Sequence, residues 1–471
     1  MRCEMTAGGG KSKVVAIIGG GVSGAGVALH LADALPPGFA EIIVFEPREE
    51  LGRGLAYDTE DPAHRINVPA ARMSLFPDRP EDFLEWIAST DALGSDPEAA
   101  RPDGNLFPQR RLFGAYVASR LHPAIEAGRI LHQRATVTGV EKTADGWLVS
   151  DSTGIETRAD LLVIATTHPS PSPPRGLQAA LAGHPRYVAD STVSGALDGI
   201  EPDDRVLIVG NGLTAADIVA SLTLTGHRGP ITSVSRRGLR SRGHAATAQD
   251  PFGDFTAQPS GTASELLHSI RQAIAQAAGE GISWHAVIDE VRGHGRLIWQ
   301  GLPMAERQRI VRHLRPFWDV HRFRVAPQVE DVLERAIGEG RLTVAAGSVS
   351  DAERDGVEIR VTLRLRDGSR PVKSFDAVVV TTGPAHGGIL QSQLWLSELG
   401  DAGILELDPT GLGIACNDRS EAIGRSGDAD PSLLIAGPLA RGTFGELMGL
   451  PQVTEHSVFV AGELLRKLTG G

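Results

Sequence analysis

The sequence predicts an α/β chain that contains two β-α-β units of one kind, with a mainly helical insertion inside the second. Three observations predict it. A β-branched run, Val14 to Ile18, ends in glycines and leads into a small-residue helical pattern through Leu31 and a second apolar strand, Ile42 to Phe45. The same grammar returns at Arg205 to Val209, Gly210 to Ala215, a helix to about Leu222 and a strand at Ile231 to Val234. Residues 262 to 338 place apolar and charged positions at helical spacing, as in Ala305-Glu-Arg-Gln-Arg-Ile-Val.

In the first unit, Gly19-Gly20-Gly21-Val22-Ser23-Gly24 matches Gly-x-Gly-x-x-Gly directly after a strand and at the opening of a helix. Gly19 permits a tight turn, Gly21 lets backbone approach a pyrophosphate, and Gly24 lets helix and strand pack closely. The helix start then offers unpaired N–H groups and a partial positive charge to phosphates. Glu46 closes the second strand roughly 20 residues beyond Gly24, where a carboxylate accepts hydrogen bonds from ribose hydroxyls. In the second unit Gly210, Gly212, Leu213, Thr214 and Ala215 form the matching turn, but the strand ends Val234-Ser235-Arg236-Arg237 without an acid. Arginine there binds a 2′-phosphate that a carboxylate would repel, so NADPH is expected over NADH; a solvated arginine loop is the alternative.

The expected organisation is a first dinucleotide-binding domain over residues 12–200 and 376–471, a second over 203–261 and 339–375, and the helical insertion at 262–338. The apolar strands Asp160 to Ala165 and Asp376 to Val380 are counterparts of one another. A Gly-, Asp- and Ser-rich loop at 416–432 precedes a last strand, Leu433 to Ala436, and a C-terminal helix.

Composition narrows the chemistry. The 471 residues are 41% hydrophobic and 22% charged, ordinary globular usage. A net charge of −12 argues against general nucleic-acid binding, which demands positive surface. No apolar segment reads as a leader or membrane span, so a cytoplasmic protein is expected. The histidines show no His-Glu-x-x-His spacing, and no Gly-x-Ser-x-Gly elbow appears. The only cysteines, Cys3 and Cys416, form no Cys-x-x-Cys pair.

Two such fingerprints, the first ending in Glu and the second in Ser-Arg-Arg, resemble flavoproteins with two dinucleotide-binding domains. More narrowly, Gly52-Arg-Gly-Leu-Ala-Tyr57, Arg65-Ile-Asn-Val-Pro-Ala-Ala-Arg-Met-Ser-Leu75, Arg236-Arg-Gly-Leu239, Arg315-Pro-Phe-Trp-Asp-Val-His-Arg322 and Leu434-Ile-Ala-Gly-Pro-Leu439 resemble a largely uncharacterised bacterial family of FAD/NAD(P)-binding proteins. That family is similar to class B flavin monooxygenases and amine N-hydroxylases. The resemblance implies two Rossmann-type domains, the first holding FAD and the second NADPH. It implies that the segment after Glu46 passes under the isoalloxazine, which makes Gly52, Arg53, Asn67 and Met73 to Leu75 candidates for the flavin pocket. Core packing is an equal reading for Met73 and Leu75. Many flavoproteins of this architecture end the last strand in Gly-Asp; here Gly437-Pro438 leaves FAD contact to backbone N–H groups.

Arg307, Arg309, Arg312, Arg315, Arg322 and Arg324, with His313 and His321, make a basic stretch interleaved with Trp318 and Phe323. Solvated helix faces are one reading and a pocket for an anionic small-molecule substrate the other. With no thiol pair to take electrons from flavin, disulfide reduction loses support. The expected activity is an FAD-dependent, NADPH-consuming monooxygenase that uses O₂ through a C4a-peroxyflavin to oxygenate a small amine, amino acid or related molecule. The alternatives are an NADPH-dependent reductase of a quinone or protein, and a non-catalytic nucleotide-binding protein.

Overall fold

A computed structural model describes residues 12–383 and 386–470. In chain order the first unit opens with β1 (Lys13–Ile18), α1 (Val22–Ala34) and β2 (Ala40–Phe45). It continues through α2 (Arg110–Glu126), β3 (Leu131–Gln133), β4 (Val137–Thr143), β5 (Gly146–Asp151), β6 (Glu156–Ala159) and β7 (Leu161–Ile164). The second unit runs through β8 (Tyr187–Val188), β9 (Val206–Val209), α3 (Leu213–Leu224) and β10 (Ile231–Ser235). Helices α4 (Ala263–Gly279), α5 (Trp284–Gly293), α6 (Arg315–Arg322) and α7 (Pro327–Gly338) come next, then β11 (Leu342–Asp355), β12 (Glu358–Leu365), β13 (Val372–Phe375) and β14 (Ala377–Val380). The chain closes with β15 (Glu421–Ile423), β16 (Ala429–Ile435) and α8 (Gln452–Thr469).

One six-stranded sheet has the order β15-β16-β7-β1-β2-β3, parallel except for β15. A seven-stranded sheet has the order β13-β12-β11-β10-β9-β14-β8, its last five strands parallel and β12 and β13 added as an antiparallel meander. Strands β4, β5 and β6 form a separate antiparallel sheet. The central strands are apolar along their whole length because both faces are covered, as parallel sheets require. The small residues of α1 let α8 come close: a Cβ on Gly26 would lie 3.0 Å from the Ser457 side chain, whose hydroxyl bonds the Ser23 carbonyl at 3.2 Å.

The boundary expected at residue 376 is corrected. Strand β14 pairs in parallel with β9 inside the second sheet, and β8, inside the expected 12–200 segment, flanks it. The apolar run Ala377 to Val380 fits the interior of either sheet; the choice is carried by Asp376, whose carboxylate takes the amide and guanidinium of Arg205 at 2.8–2.9 Å. Burial alone could not have shown this.

Candidate functional site

The two glycine turns lie at corresponding strand ends. At the first, Gly19 has φ +100°, and a Cβ there would sit 2.7 Å from the Ala165 carbonyl oxygen. A Cβ on Gly24 would sit 1.9 Å from the Gly19 oxygen, so helix and turn touch through that glycine. Gly21 is the N-cap of α1, and its Cβ position meets only the Gly54 Cα, at 3.4 Å. The helix has no side-chain cap and no acid in its first turn. The same holds for α3 behind Gly212, where a Cβ would find no atom within 4 Å. Helix α4, by contrast, closes its own start with a Thr262–Glu265 capping box. The starts of α2 and α5 also lack side-chain caps. Among α1 to α8, however, only α1 and α3 follow a glycine N-cap, which leaves their unpaired N–H groups and positive ends open to close approach by phosphates.

A groove of about 1250 Å³ opens at the first turn, lined by Gly19, Gly21, Val22, Ser23, Glu46 and Arg53. Glu46 is 4% exposed and accepts from the Gly20 amide at 3.0 Å. Its other oxygen holds both the amide and the guanidinium of Arg48, a groove residue the sequence reading missed. The volume, the glycine face and the acid fit an adenine dinucleotide. Gly52 lies beside the glycine turn: its amide bonds the Gly20 carbonyl at 2.7 Å and it bridges to Gly21. Arg53 bonds Glu50 at 2.6 Å.

The Gly437 expectation is also corrected. Its amide donates to His456 Nδ1 at 3.1 Å and is not available to a ligand, while its φ of +66° and the Ser23 side chain, 2.2 Å from a Cβ, explain why glycine is there. Leu75 is fully buried in the core. Met73 is 2% exposed, packs in the same core and also forms part of a second cavity wall.

At the second turn Gly210 has φ +127°, and a Cβ would strike the Thr381 carbonyl oxygen at 2.3 Å. Asn211 holds the loop by donating to the Leu239 carbonyl at 3.0 Å. Ala215 is buried, whereas Leu213 and Thr214 reach the second cavity. Ser235 ends β10, and Arg236 and Arg237 beyond it are exposed. The Arg237 guanidinium lies 4.8 Å from the Phe317 ring centre. Arg236 forms no ion pair among the described residues.

The second cavity, about 1190 Å³, sits where both units meet the helical insertion. It shares the walls Leu55 to Tyr57, Arg110 and Met448 to Leu450 with the groove, so the two spaces adjoin. Asn67 lines it and donates to the Arg324 carbonyl at 3.2 Å, tying the first unit to the insertion. Arg110 bonds Asp217 of α3 at 2.8 Å and ties the two units. His244 donates from Nε2 to the Asn67 carbonyl, and burial pushes its pKa down to about 4. Burial, helped by Arg441 and Arg315, does the same to His168. Both imidazoles are neutral at pH 7.

The basic stretch divides. Arg307 caps carbonyls of Leu302 and Gln300, Arg309 pairs with Glu306, and Arg312 and His313 are exposed. Arg315 pairs with Asp319 at 3.2 Å, and His321 hydrogen-bonds the Phe317 carbonyl. None of these lines the cavity; Arg322 and Arg324 do, buried against Glu446 and Asp289. Sequence reasoning missed Arg292, although His285, Asp289 and Arg292 fall on one face of α5 at spacings of four and three.

A family profile described as FAD-NAD(P)-binding matches residues 16–169. A search of curated proteins finds no match. Among solved structures, L-lysine 6-monooxygenase from Pseudomonas syringae is 18% identical with a TM-score of 0.65, over 98% of this chain and 99% of that one. The FAD-bound cadaverine monooxygenase of the desferrioxamine pathway from Erwinia amylovora is 13% identical with a TM-score of 0.65, over 98% and 95%. Bacillithiol disulfide reductase from Staphylococcus aureus is 14% identical with a TM-score of 0.56, over 97% and 99%. The chain has the fold of flavoproteins with two dinucleotide-binding domains.

Proposed function

We propose that the protein is an FAD-dependent, NADPH-consuming monooxygenase that oxygenates a small amine or amino acid, N-hydroxylation being the favoured outcome. The observation that carries this reading is the pair of uncapped, glycine-led helix starts opening on adjoining cavities, with no reactive thiol beside them among the described residues. Cys416 is buried, and burial pushes its thiol up to about 12, so it is no thiolate. Cys3 lies outside the described residues.

In this reading the α1 start and Glu46 hold FAD, and the α3 start with Arg236 and Arg237 holds NADPH. Bound FAD, reduced by NADPH, supplies the electrons that activate O₂. The chain's own part is to bind, orient and keep water out. The apolar wall of Ile66, Met73 and Phe107 excludes solvent. The burial that holds His168 and His244 neutral also favours a substrate amine in its uncharged, nucleophilic form. The substrate is further read as an anion or zwitterion, from the arginines of the junction cavity.

The test compares NADPH consumption, O₂ consumption, H₂O₂ release and oxygenated product across amino acids, diamines and thioethers. An oxygenated product formed in step with NADPH supports the reading. Equal turnover of quinones without air and no product from any compound replaces it with a reductase.

A further inference from the structure

Four of the arginines on the junction cavity are matched by carboxylates. Arg110 faces Asp217, Arg101 faces Asp331, Arg322 faces Glu446 and Arg324 faces Asp289, each within ion-pair distance. Arg72 also reaches Asp289, at 3.9 Å. Arg292 differs. It lies on the same cavity wall, yet among the described residues no carboxylate comes within 4.0 Å of it. Its Nη2 donates to the Leu450 carbonyl at 2.7 Å and to Gln452 Oε1 at 3.2 Å, both neutral acceptors. Its Nε has no hydrogen-bond partner, and neither has Nη2 of neighbouring Arg322.

A desolvated guanidinium with no anion in direct contact is costly, because the charge loses water while Glu446 and Asp289 act on it only from beyond ion-pair distance. Burial and the proximity of Arg322 push the Arg292 pKa down to about 10, which leaves it charged at neutral pH. Glu455, on the same wall, forms no ion pair with Arg292 within 4.0 Å; burial raises its pKa and Arg292 acts to lower it. Asp289, one turn back on α5, is taken bidentately by Arg324 at 2.8 and 3.1 Å. The segment Met448 to Leu450, whose last carbonyl fixes Arg292, is also a wall of the dinucleotide groove. An anion on Arg292 would thus be anchored at the seam where the cavity meets that groove.

We propose that Arg292, with Arg322 beside it, is a carboxylate-binding subsite, so that the substrate is an amino acid rather than a simple diamine; the chemistry after binding rests on the monooxygenase reading. A carboxylate fits because a guanidinium offers paired, charge-assisted donors to it. The anchored end fixes one terminus of the molecule and leaves the amine to be presented elsewhere in the cavity.

The experiment uses two matched pairs that differ only by the carboxylate, L-lysine with cadaverine and L-ornithine with putrescine. Binding to the FAD-loaded protein is measured by calorimetry, and product is assayed separately. The wild-type protein is expected to bind the amino acid of at least one pair about tenfold or more tighter than its diamine. Arg292→Gln should erase that preference by weakening the amino acid alone, and Arg292→Lys should restore part of it. Flavin content and thermal melting establish that both variants are folded; if Arg292→Gln is not, Arg292→Lys carries the comparison, with a reduced preference expected. A wild-type protein without preference for the carboxylate member of either pair overturns the subsite, as does a preference that survives Arg292→Gln unchanged. A preference with no oxygenated product leaves the subsite standing and counts against oxygenation of these four compounds; product without preference overturns the subsite and leaves the monooxygenase standing.

Discussion

His456 Nδ1 accepts the amide proton of Gly437 at 3.1 Å, and this bond pins the end of the last strand of the first sheet to the C-terminal helix. The ring is therefore neutral with its proton on Nε2, which faces the Ser420 hydroxyl at 3.0 Å. Replacing His456 with Ala strands two buried polar groups and leaves a hole. The expected loss is about 3 kcal/mol or more of unfolding free energy, measured by chemical denaturation, since each unsatisfied group costs roughly 1–3 kcal/mol. A loss under about 1 kcal/mol would show that the pair is dispensable.

Acid should destabilise the protein early. His456 is pushed down to about 3 by burial, and His168 and His244 to about 4, all from 6.5. The folded state thus resists protons that the unfolded chain accepts. The associated stability is complete above about pH 7 and falls as pH drops below 6.5, until the folded values near 3 to 4 are reached. Each histidine contributes a slope of up to roughly 1.4 kcal/mol per pH unit. Denaturation midpoints at pH 8, 7, 6 and 5 check this; a flat profile down to pH 5 contradicts it.

Two glycine substitutions separate packing from ligand approach. Gly24→Ala forces a Cβ to within 1.9 Å of the Gly19 carbonyl and should abolish folding of the first unit. Gly212→Ala meets no protein atom within 4 Å and sits at an ordinary negative φ, so stability should change by less than about 0.5 kcal/mol. NADPH affinity should nevertheless fall at least tenfold, as read by titration, because the methyl stands where the phosphates must approach. Unchanged affinity in Gly212→Ala would remove NADPH from that turn.

Arg236→Ala and Arg237→Ala together should weaken NADPH about tenfold to a hundredfold and leave NADH nearly unchanged, from the loss of roughly 1.5–3 kcal/mol of charge-assisted bonding. Equal loss of both nucleotides would make the arginines structural. The single Arg237 variant also releases Phe317, so its effect on melting temperature reports how far that contact holds the insertion.

What the sequence revealed was local. Strand, glycine turn and helix are neighbours along the chain, so the turns at Gly19 and Gly210 and the close packing at Gly24 could be read. Relations across the fold were hidden. Nothing near Ala377 to Val380 says which of two apolar sheets will take it, because Arg205, its arbiter, is distant in sequence. The arginine stretch could not be sorted into surface and cavity members, since the carboxylates that bury Arg322 and Arg324 come from Glu446 and Asp289. Gly437 was misread for the same reason: the competitor for its amide belongs to the next helix.

The sheet order also sets a timetable for synthesis. Strand β7 lies between β1 and β16, and every residue of β7 is buried in the finished sheet. The chain that will cover its outer edge emerges only after the whole second sheet has been made. At about 5–20 residues per second that interval is roughly 15 to 50 seconds, during which an apolar edge has no neighbour. The second unit, complete at β14, is itself made within that interval and precedes β16. The glycine fingerprint translated first is the one whose sheet is finished last.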